Sequence, residues 1–504
     1  MKSTALLILP TLASSLVAAA PAPGAPLVES NKLRRVLYRS NLEARATELF
    51  NIAKLNKGTR AWGTPGHWET LDWIERQIPK DYYNVERQYF NISRTVHDEV
   101  SVTVDGVAQT QVNGFTGGPN GTVSAPLIAI PNFGCNASDY PASVAGKIAL
   151  VHRGSCNFGQ KNARAGTAGA AGLVIWNNDP TPLTPTLGTP DLYNVTEFIV
   201  ALFIGQAEGS AIVEKIGTGS VPATIKSLFH FDIDLTANII ATTKGGNQNA
   251  IITSGAHTDS VPAGPGINDN GSGTIAQIEV AKALTKFSVN NAIRFCWWAA
   301  EEDGLLGSEY YTSHISAAEA AKIVMNLNFD MLASPNYLYS IYDGDGSTFA
   351  SPYASTGSGL IEQTFIDFFV EDGKTSVPTE FDGRSDYDGF LQVGIPAGGV
   401  FMGAEGIKTE EEQKLFGGTA GKPYDHCYHQ ACDDTNNLDY GAFITGTKSM
   451  ADAIAKYGRS IEGFPFPRPA AKLTPRRLEG EPMIPNRAKG KHGKHGGCSQ
   501  RQEA

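Results

Sequence analysis

The sequence predicts an α/β fold in which a mixed, mostly parallel sheet is covered by helices and carries an inserted β-rich domain. After Leu235, continuous apolar segments of strand length alternate with segments of helical periodicity, a pattern typical of a parallel sheet buried on both faces. Between residues 112 and 228 the pattern changes to short β-type segments separated by Gly, Asn and Pro. The chain has 504 residues, which is too long for one ordinary core and favours a second domain or a large insertion.

Residues 1–19 are predicted to be a secretory signal peptide. Lys2 precedes an apolar run from Ala5 to Val17, and small residues follow it. Pro10 within the run argues against the alternative, a buried N-terminal helix. No later apolar run reaches the roughly 20 residues that a membrane helix needs. We therefore expect a secreted protein without a membrane span, with the vacuolar lumen as the alternative location.

The remaining chain divides into a discontinuous main domain, an insertion and a tail. The main domain is assigned to residues 33–111 and 229–460, and the insertion to residues 112–228. Helical spacing is expected from Leu33 to Leu55 and from Trp68 to Ile78, before β-type segments begin near Val100. Within the insertion, an Ala- and Gly-rich helix precedes the apolar strand LVIW.

In the second half of the main domain, strands and helices are predicted to alternate. The predicted strands are NIIATTK (238–244), AIITSGAH (250–257), AIRFCWWAA (292–300), KIVMNLNFDML (322–332), YLYSIYDG (337–344) and GIPAGGVF (394–401). The predicted helices cover residues 274–286, 307–315, 359–373 and 440–457. Active sites of such sheets gather at the carboxyl ends of the strands.

The charge distribution distinguishes the C-terminal tail from the rest of the chain. The formal net charge of -10 gives no reason to expect nucleic-acid binding. Residues 465–504 contain nine Lys and Arg but three Asp and Glu, together with many Pro and Gly. This composition predicts a basic, disordered tail.

Cysteines and sequons agree with an oxidising, secretory environment. Six cysteines are too few for a disulfide scaffold, but the close pairs Cys135–Cys156 and Cys427–Cys432 are expected to form disulfides. Cys296 lies within a predicted strand and is expected to be a buried, inert thiol. Glycans are expected at Asn91, Asn120, Asn136 and Asn194, whereas the sequon at Asn270 lies among candidate ligands and is expected to be unmodified.

Side chains suited to metal binding follow three successive predicted strands. His257 ends the first, Glu301 and Glu302 follow the second, and Asp330 lies near the end of the third. A single His or Glu pair would be a weak signal, because charged residues usually lie on the solvated surface. The conjunction at three strand ends instead indicates one shared site.

A bridging carboxylate and a late histidine would complete a two-metal site. Asp269 lies in the loop AGPGINDNGSG, and its two oxygens could each face a different metal. One assembly places the first metal on His257, Asp330 and Asp269, and the second on Glu302, Asp269 and a downstream histidine.

Two histidines compete for this last position. His429 lies between Cys427 and Cys432 in DHCYHQACDD, where a disulfide would fix the local backbone. His426 lies outside the cysteine pair and is ranked second.

The motifs that contain these residues resemble a known family. They are HTD (257–259), NDN (268–270), AAEE (299–302), NFDM (328–331) and CYHQAC (427–432). In this order and spacing they are similar to the secreted di-zinc aminopeptidases of bacteria and fungi, most of all to the aminopeptidase Y and fungal leucine aminopeptidase 2 branches. The resemblance covers about residues 33–86 and 235–457. Residues 151–178 resemble the protease-associated domain that occurs in this family.

The resemblance implies two Zn²⁺ per chain and a role for each site residue. Zinc would lie on His257, Asp269, Glu302, Asp330 and His429, with Asp269 as the bridge. Glu301 matches the general base. Asp259 would be the carboxylate that orients the His257 ring, with a helix or turn cap as its alternative role.

Two further side chains have weaker implied roles. Tyr428 would donate a hydrogen bond to the oxyanion, although a packing role for its ring is the alternative. Arg384, in GRSDYDGF, matches a family position near the substrate.

The predicted function is a secreted, monomeric zinc aminopeptidase that removes N-terminal amino acids from peptides with a free N-terminus. The direction of cleavage rests on the resemblance, since the ligands alone suit either chain end. Alternatives are a metallocarboxypeptidase or glutaminyl cyclase of the same fold, or a receptor-like binding protein without catalysis. The insertion either borders the cleft or is a structural lobe.

Overall fold

The computed structural model describes residues 24–178, 185–188, 190–467 and Met483. The predicted signal peptide and Cys498 lie outside these residues, as does most of the predicted basic tail, of which residues 465–467 and Met483 are described.

The main helices lie before, between and after the strands of the sheet. The α-helices are α1 (Ser30–Arg34), α2 (Arg39–Leu55), α3 (Pro65–Gln77), α4 (Phe158–Thr167), α5 (Gln206–Ile216), α6 (Gly271–Leu284), α7 (Leu306–His314), α8 (Ala317–Ala320), α9 (Thr356–Glu371), α10 (Asp388–Gln392), α11 (Glu410–Phe416) and α12 (Tyr440–Arg459). Short 3₁₀ turns cover Asn132–Gly134, Ala137–Asp139, Ala142–Val144 and Pro190–Tyr193.

The strands form one extended mixed sheet. They are β1 (Tyr83–Val104), β2 (Val107–Ala108), β3 (Val112–Gly114), β4 (Gly121–Ala129), β5 (Ile148–His152), β6 (Gly172–Trp176), β7 (Ala201–Ile204), β8 (Pro222–Thr243), β9 (Asn247–His257), β10 (Asn291–Trp298), β11 (Ile323–Asp330), β12 (Ser340–Tyr342), β13 (Val377–Thr379) and β14 (Ala397–Phe401). Their order is β13-β12-β14-β11-β9-β10-β8-β4-β5-β6-β7-β3, and β1 pairs with β8 and β2.

The centre of the main-domain sheet is parallel. β9 pairs in parallel with β10 and with β11, and β11 pairs in parallel with β14. Because these strands run in one direction, their carboxyl ends meet at one edge. The predicted mixed, mostly parallel sheet is confirmed.

Both faces of the parallel strands are covered by apolar side chains from helices. One core joins residues of α2, α6 and α12 to the sheet and includes Phe295, Trp297 and Phe329. The opposite core contains Cys296 and Trp298 with residues of α7 and α10. β10 therefore has apolar residues on both faces, which explains its largely hydrophobic sequence.

A long antiparallel ribbon joins the insertion to the main domain. β1 and β8 pair from Tyr83 opposite Thr243 to Val104 opposite Ala223, with one register shift between His97 and Glu99. The end of β8 pairs with β10, and its beginning pairs with β4 of the insertion. The predicted domain boundary between residues 228 and 229 therefore lies inside one continuous strand.

The helices before the sheet differ from the expectation. The predicted helix 33–55 is divided into α1 and α2, whereas the helix predicted from Trp68 to Ile78 is present as α3, which begins three residues earlier. Thr64 caps α3 by accepting a hydrogen bond from the His67 amide, and Pro65 occupies its first turn. Strand structure begins at Tyr83 rather than near Val100.

Among the helices of the described residues, none is both long and apolar enough to cross a membrane.

Candidate metal centre

The sheet brings the candidate ligands of three strands to one edge. His257 is the last residue of β9, Asp330 is the last residue of β11, and Glu301 and Glu302 follow β10 closely. Asp269 reaches the same edge from the loop before α6. Five side chains from four segments of the sequence therefore meet in one place.

The first cluster surrounds the imidazole of His257. Its Nε2 lies 3.2 Å from Asp269 Oδ1, 3.5 Å from Asp330 Oδ1 and 3.8 Å from Glu301 Oε2. The His257 side chain is 1% exposed. His257, Glu301 and Asp330 offer ligand atoms within 4.8 Å of one another, which is close enough to surround one ion.

The second cluster surrounds His429 and shares Asp269 with the first. His429 Nε2 lies 3.0 Å from Glu302 Oε2 and 3.1 Å from Asp269 Oδ2. The two oxygens of Asp269 therefore face two different histidines. This is the arrangement required of a carboxylate that bridges two cations.

The loop that carries His429 is closed by the Cys427–Cys432 disulfide. His429 has a positive φ of 58° and turns back toward Asp269. His426 is exposed and belongs to neither cluster. The structure thus places His429, rather than the competing His426, beside the other candidate ligands.

A buried carboxylate connects this loop to Asp269. Asp433 accepts hydrogen bonds from the backbone amides of Asn268 (2.9 Å) and Asp269 (3.0 Å). Asn437 Nδ2 also donates to Asp433 Oδ1, at 3.1 Å. Sequence reasoning did not identify Asp433, although it follows the CYHQAC motif directly.

A second carboxylate reinforces the same connection. Asp425 Oδ2 accepts from the side chain of Asn268 at 2.7 Å, and Asp425 Oδ1 accepts from the Cys427 amide at 2.8 Å. Both acidic groups are about 1% exposed. Asp425 and Asp433 therefore fix Asp269 and His429 relative to each other.

Asp259 contacts the backbone of the glutamate pair. Its carboxylate accepts from the amides of Glu301 (3.1 Å) and Glu302 (3.3 Å). Its distance to His257 Nδ1 is 3.7 Å, whereas the backbone carbonyl of Asp259 lies at 3.2 Å from that nitrogen. The carbonyl is thus the nearer partner of the ring, and the carboxylate holds the loop of the two glutamates.

Arg60 is a buried residue of the site that sequence reasoning missed. It is fully buried and donates from Nε to Pro265 O (2.8 Å), from Nη2 to Gly266 O (2.5 Å) and from Nη1 to Thr258 O. Burial lowers its pKa to about 10, and nearby carboxylates, Asp259 first, oppose this. Arg60 therefore remains charged at neutral pH and fixes both ends of the loop between His257 and Asp269.

Asp330 is held by a relay of hydrogen bonds. Ser385 Oγ donates to Asp330 Oδ2 at 2.7 Å and accepts from Asn328 Nδ2 at 2.8 Å. This leaves Asp330 Oδ1 turned toward His257. Because Ser385 binds Oδ2, Oδ1 is the Asp330 oxygen that faces the first cluster.

The carboxylates make both histidines strongly basic. Burial lowers the pKa of His257, but the charges of Glu301 and Asp330 outweigh it and hold that pKa well above its usual value. At His429 burial also lowers the pKa, but Glu302 and Asp269 outweigh this effect and raise the pKa to about 10. The clusters therefore attract positive charge, which protons or metal cations can supply.

The residues present fit zinc. Imidazole nitrogens and carboxylate oxygens are common zinc ligands, and about four ligands complete a tetrahedral site. Glu302 Oε1 and Asp330 Oδ1 are buried without a hydrogen-bond partner, which is costly unless a cation lies beside them. The donor types and the unpartnered oxygens thus agree with zinc at this site.

Tyr428 and Arg384 lie next to the second cluster. Tyr428 stacks on His429 with ring centroids 3.8 Å apart, and Arg384 Nη2 lies 3.2 Å from the Tyr428 hydroxyl. Arg384 also pairs with Glu405 at 3.0 Å. The two residues that had weaker implied roles are thus in contact with each other.

The structure also places the other cysteines and the sequons. The structure contains the Cys135–Cys156 disulfide, and Cys296 is a buried free thiol. Asn120, Asn136 and Asn194 are exposed, and Asn91 is half-buried. Asn270 is buried and bonds the Phe329 carbonyl and the Gly273 amide, so the folded protein offers no room for a glycan there.

The main domain and the insertion each match a known protein family. The model of peptidase family M28 matches residues 238–454, and that of the PA domain matches residues 123–212. A leucine aminopeptidase 2 from Arthroderma otae is 43% identical over 445 residues, covering 88% of this chain and 89% of the relative.

Solved structures show the same architecture. An aminopeptidase from Aneurinibacillus sp. strain AM-1 has a TM-score of 0.66 at 24% identity, and the match covers 91% of this chain and 100% of the other. BSAP, a zinc aminopeptidase from Bacillus subtilis, has a TM-score of 0.64 at 25% identity, with 84% and 96% coverage. The predicted resemblance is confirmed, and the chain belongs to peptidase family M28, among the homologues of fungal leucine aminopeptidase 2 with a PA domain.

Proposed function

We propose that this chain is a secreted di-zinc aminopeptidase that releases N-terminal amino acids from peptides. The observation that carries the proposal is Asp269, whose two oxygens lie 3.2 Å from His257 Nε2 and 3.1 Å from His429 Nε2. The names of its relatives, leucine aminopeptidase 2 and zinc aminopeptidase, support the activity and the metal. Two disulfides support an oxidising compartment.

The five candidate ligands divide into two sets that share Asp269. His257 and Asp330 would hold one ion, and Glu302 and His429 the other. Two zinc ions, when bound, acidify water, polarise the substrate carbonyl and neutralise charge that develops on it. The protein's task is to hold the ligands, orient the substrate and move protons.

Glu301 is the proposed general base. Its backbone amide is fixed by Asp259, and its carboxylate lies at the edge of the first cluster, 3.8 Å from His257 Nε2. Burial raises its pKa, opposed by His257 and reinforced by Asp386. Glu301 takes the proton from the attacking water and later gives it to the leaving amine.

Tyr428 is the proposed oxyanion donor. Its hydroxyl oxygen accepts from Arg384, which leaves the phenolic proton free to point at the substrate. The guanidinium charge polarises the phenol and strengthens its donation to a developing negative oxygen. Arg384 acts through Tyr428 and is a positioning residue.

The direct test is turnover of a panel of aminoacyl anilides with and without a chelator. We expect hydrolysis of free aminoacyl anilides, loss of activity in the chelator and recovery on adding zinc. N-acetylated anilides, which lack the free amine, should not be cleaved. Cleavage of N-acetylated peptides from their carboxyl end would instead indicate a carboxypeptidase.

Two further results would contradict the proposal. Cyclisation of N-terminal glutamine without release of amino acids would indicate a cyclase. Peptide binding without turnover of any substrate in the zinc-loaded protein would indicate a receptor-like protein. The Glu301→Gln variant, which lacks the proposed base, is the negative control for these assays.

A further inference from the structure

Met483 is docked on the main domain, although it belongs to the segment predicted to be a disordered tail. Its side chain is 3% exposed. Its backbone amide donates to Asn91 O at 2.7 Å, and its carbonyl accepts from the Ser93 amide at 2.6 Å. Met483 thus forms a parallel bridge with Ile92 through hydrogen bonds on both sides of that residue.

The bridge uses the outer edge of β1. On its inner edge, Asn91 and Ser93 are in register with Leu235 and Ile233 of β8. Among the strands of the described residues, β8 and β2 pair with β1, and β2 reaches only Thr103 and Val104. The edge at Ile92 would otherwise present unpaired backbone groups, which are a template for an added strand.

The Met483 side chain completes an apolar cluster behind the glutamate loop. The cluster consists of Trp62, Phe90, Ile92, Ala299, Ala300, Leu306 and Met483. Ala299 and Ala300 directly precede Glu301 and Glu302 in the sequence. An unbranched, flexible methionine side chain is suited to filling such an irregular space.

The cluster is connected to the glutamate loop at both of its ends. Leu306 donates its amide to Ala300 O at 3.1 Å, which closes the loop around the two glutamates. Trp62 Nε1 donates to the carboxylate of Asp303, the residue after Glu302. A change in the packing of the cluster would therefore shift the loop that carries both glutamates.

We propose that the outer edge of β1 and this apolar cluster are a docking site for the chain's own C-terminal segment. Met483 is the anchor of that segment and a positioning residue for the loop of Glu301 and Glu302. The occupant is the C-terminal segment at Met483, the residue that is already seated at the site. In the sequence, Met483 is the central residue of LEGEPMIPNRA. The docking stands on geometry alone, whereas its effect on turnover rests on the proposed function.

The test uses the full chain with Met483→Asp, and Met483→Leu as the matched control. Hydrogen exchange at the Ser93 amide reports docking, because that amide donates to Met483 O. We expect exchange there to be roughly tenfold faster in Met483→Asp and unchanged in Met483→Leu, whose side chain has similar volume. The melting temperature of Met483→Asp should fall by about 5 °C, because a charge cannot enter the cluster without loss of packing.

The kinetic readout separates positioning from general stability. We expect kcat of Met483→Asp to fall by about tenfold, in line with the sensitivity of catalysis to small misplacements of reacting groups. KM and the zinc content should stay unchanged, because no ligand is altered. Adding the synthetic peptide LEGEPMIPNRA to the Met483→Asp chain should restore both Ser93 protection and kcat. The same peptide with aspartate at position 483 should restore neither.

Each contrary outcome has a definite meaning. Unchanged Ser93 exchange in Met483→Asp would overturn the docking. Lost protection with unchanged or increased kcat would overturn the positioning role, and an increase would mean that the segment obstructs the site. If Ser93 responds as expected while the wild-type chain cleaves no aminoacyl anilide, the docking stands and the proposed function fails.

Discussion

Glu301 and Glu302 are adjacent in sequence but face different clusters. Glu302 Oε2 lies 3.0 Å from His429 Nε2, whereas Glu301 Oε2 lies at the His257 cluster. Both backbone amides donate to Asp259, so the two side chains diverge from one fixed point. This divergence suits the different roles proposed for the two carboxylates, Glu302 as a ligand and Glu301 as the base.

This difference predicts opposite outcomes for two matched substitutions. Glu301→Gln should lower kcat by about 10²–10⁴-fold, because an amide cannot accept the proton from water. Its zinc content should equal that of the wild type. Glu302→Gln should lose the ion of the second cluster, because a neutral amide is a weaker ligand than a carboxylate. Metal analysis and steady-state kinetics on the purified variants check both statements. A Glu301→Gln chain without zinc would refute the assignment of the base.

At the level of single residues, the candidate ligands could be predicted from the sequence, but the residues that hold them in place could not. His257, Glu301 and Asp330 could be predicted because each follows an apolar strand, and parallel strands end at a common edge. Arg60 and Asp433 could not, since a buried Arg or Asp that serves backbone groups leaves no local pattern. Asp259 was singled out, but its contact with two backbone amides depends on how β10 ends, which appears only in the folded chain.

At the level of elements, the site depends on two loops that interlock. The loop before α6 carries Asp269, and the disulfide-closed loop before α12 carries His429. Asp433 accepts from two backbone amides of the first loop while belonging to the second. The distance between the bridge and the second histidine is therefore set by hydrogen bonds between loops rather than by the sheet.

Removal of this contact should weaken both folding and metal binding. Asp433→Ala would leave two buried amides without acceptors, and we expect a loss of about 2–5 kcal/mol in the free energy of unfolding. Asp433→Asn keeps one acceptor oxygen and should have a smaller effect. Asp434→Ala, one residue away, is the matched control. Urea unfolding and competition with a zinc chelator measure the two effects. Equal stability and zinc affinity in Asp433→Ala and Asp434→Ala would show that the contact is unimportant.

How well each strand could be predicted from the sequence depends on how completely it is buried. Residues 250–257 of β9 and nearly all of β10 and β11 are buried, so their sequences are largely apolar and easily recognised. The first half of β1 alternates buried and exposed residues irregularly, and Arg87, Gln88 and Asn91 interrupt it. Its strand structure comes from pairing with β8, more than a hundred residues later, which no local pattern can reveal.

At the level of the whole molecule, the β1–β8 ribbon makes one continuous sheet from the main domain and the insertion. The candidate ligands all lie in the main domain, between His257 and His429. The inserted domain has its own apolar cores, which include Phe115, Val151 and Leu202. Because both strands of the ribbon run without interruption through both parts, the insertion is joined to the catalytic sheet by paired backbone rather than by a flexible linker.

If two zinc ions share Asp269, anomalous scattering at the zinc edge, measured on crystals of the zinc-loaded protein, will locate both. We expect two peaks roughly 3.5–4 Å apart. One should lie among His257, Asp330 and Asp269, and the other among His429, Glu302 and Asp269. A single peak at this site, or zinc bound only elsewhere, would refute the shared two-zinc site.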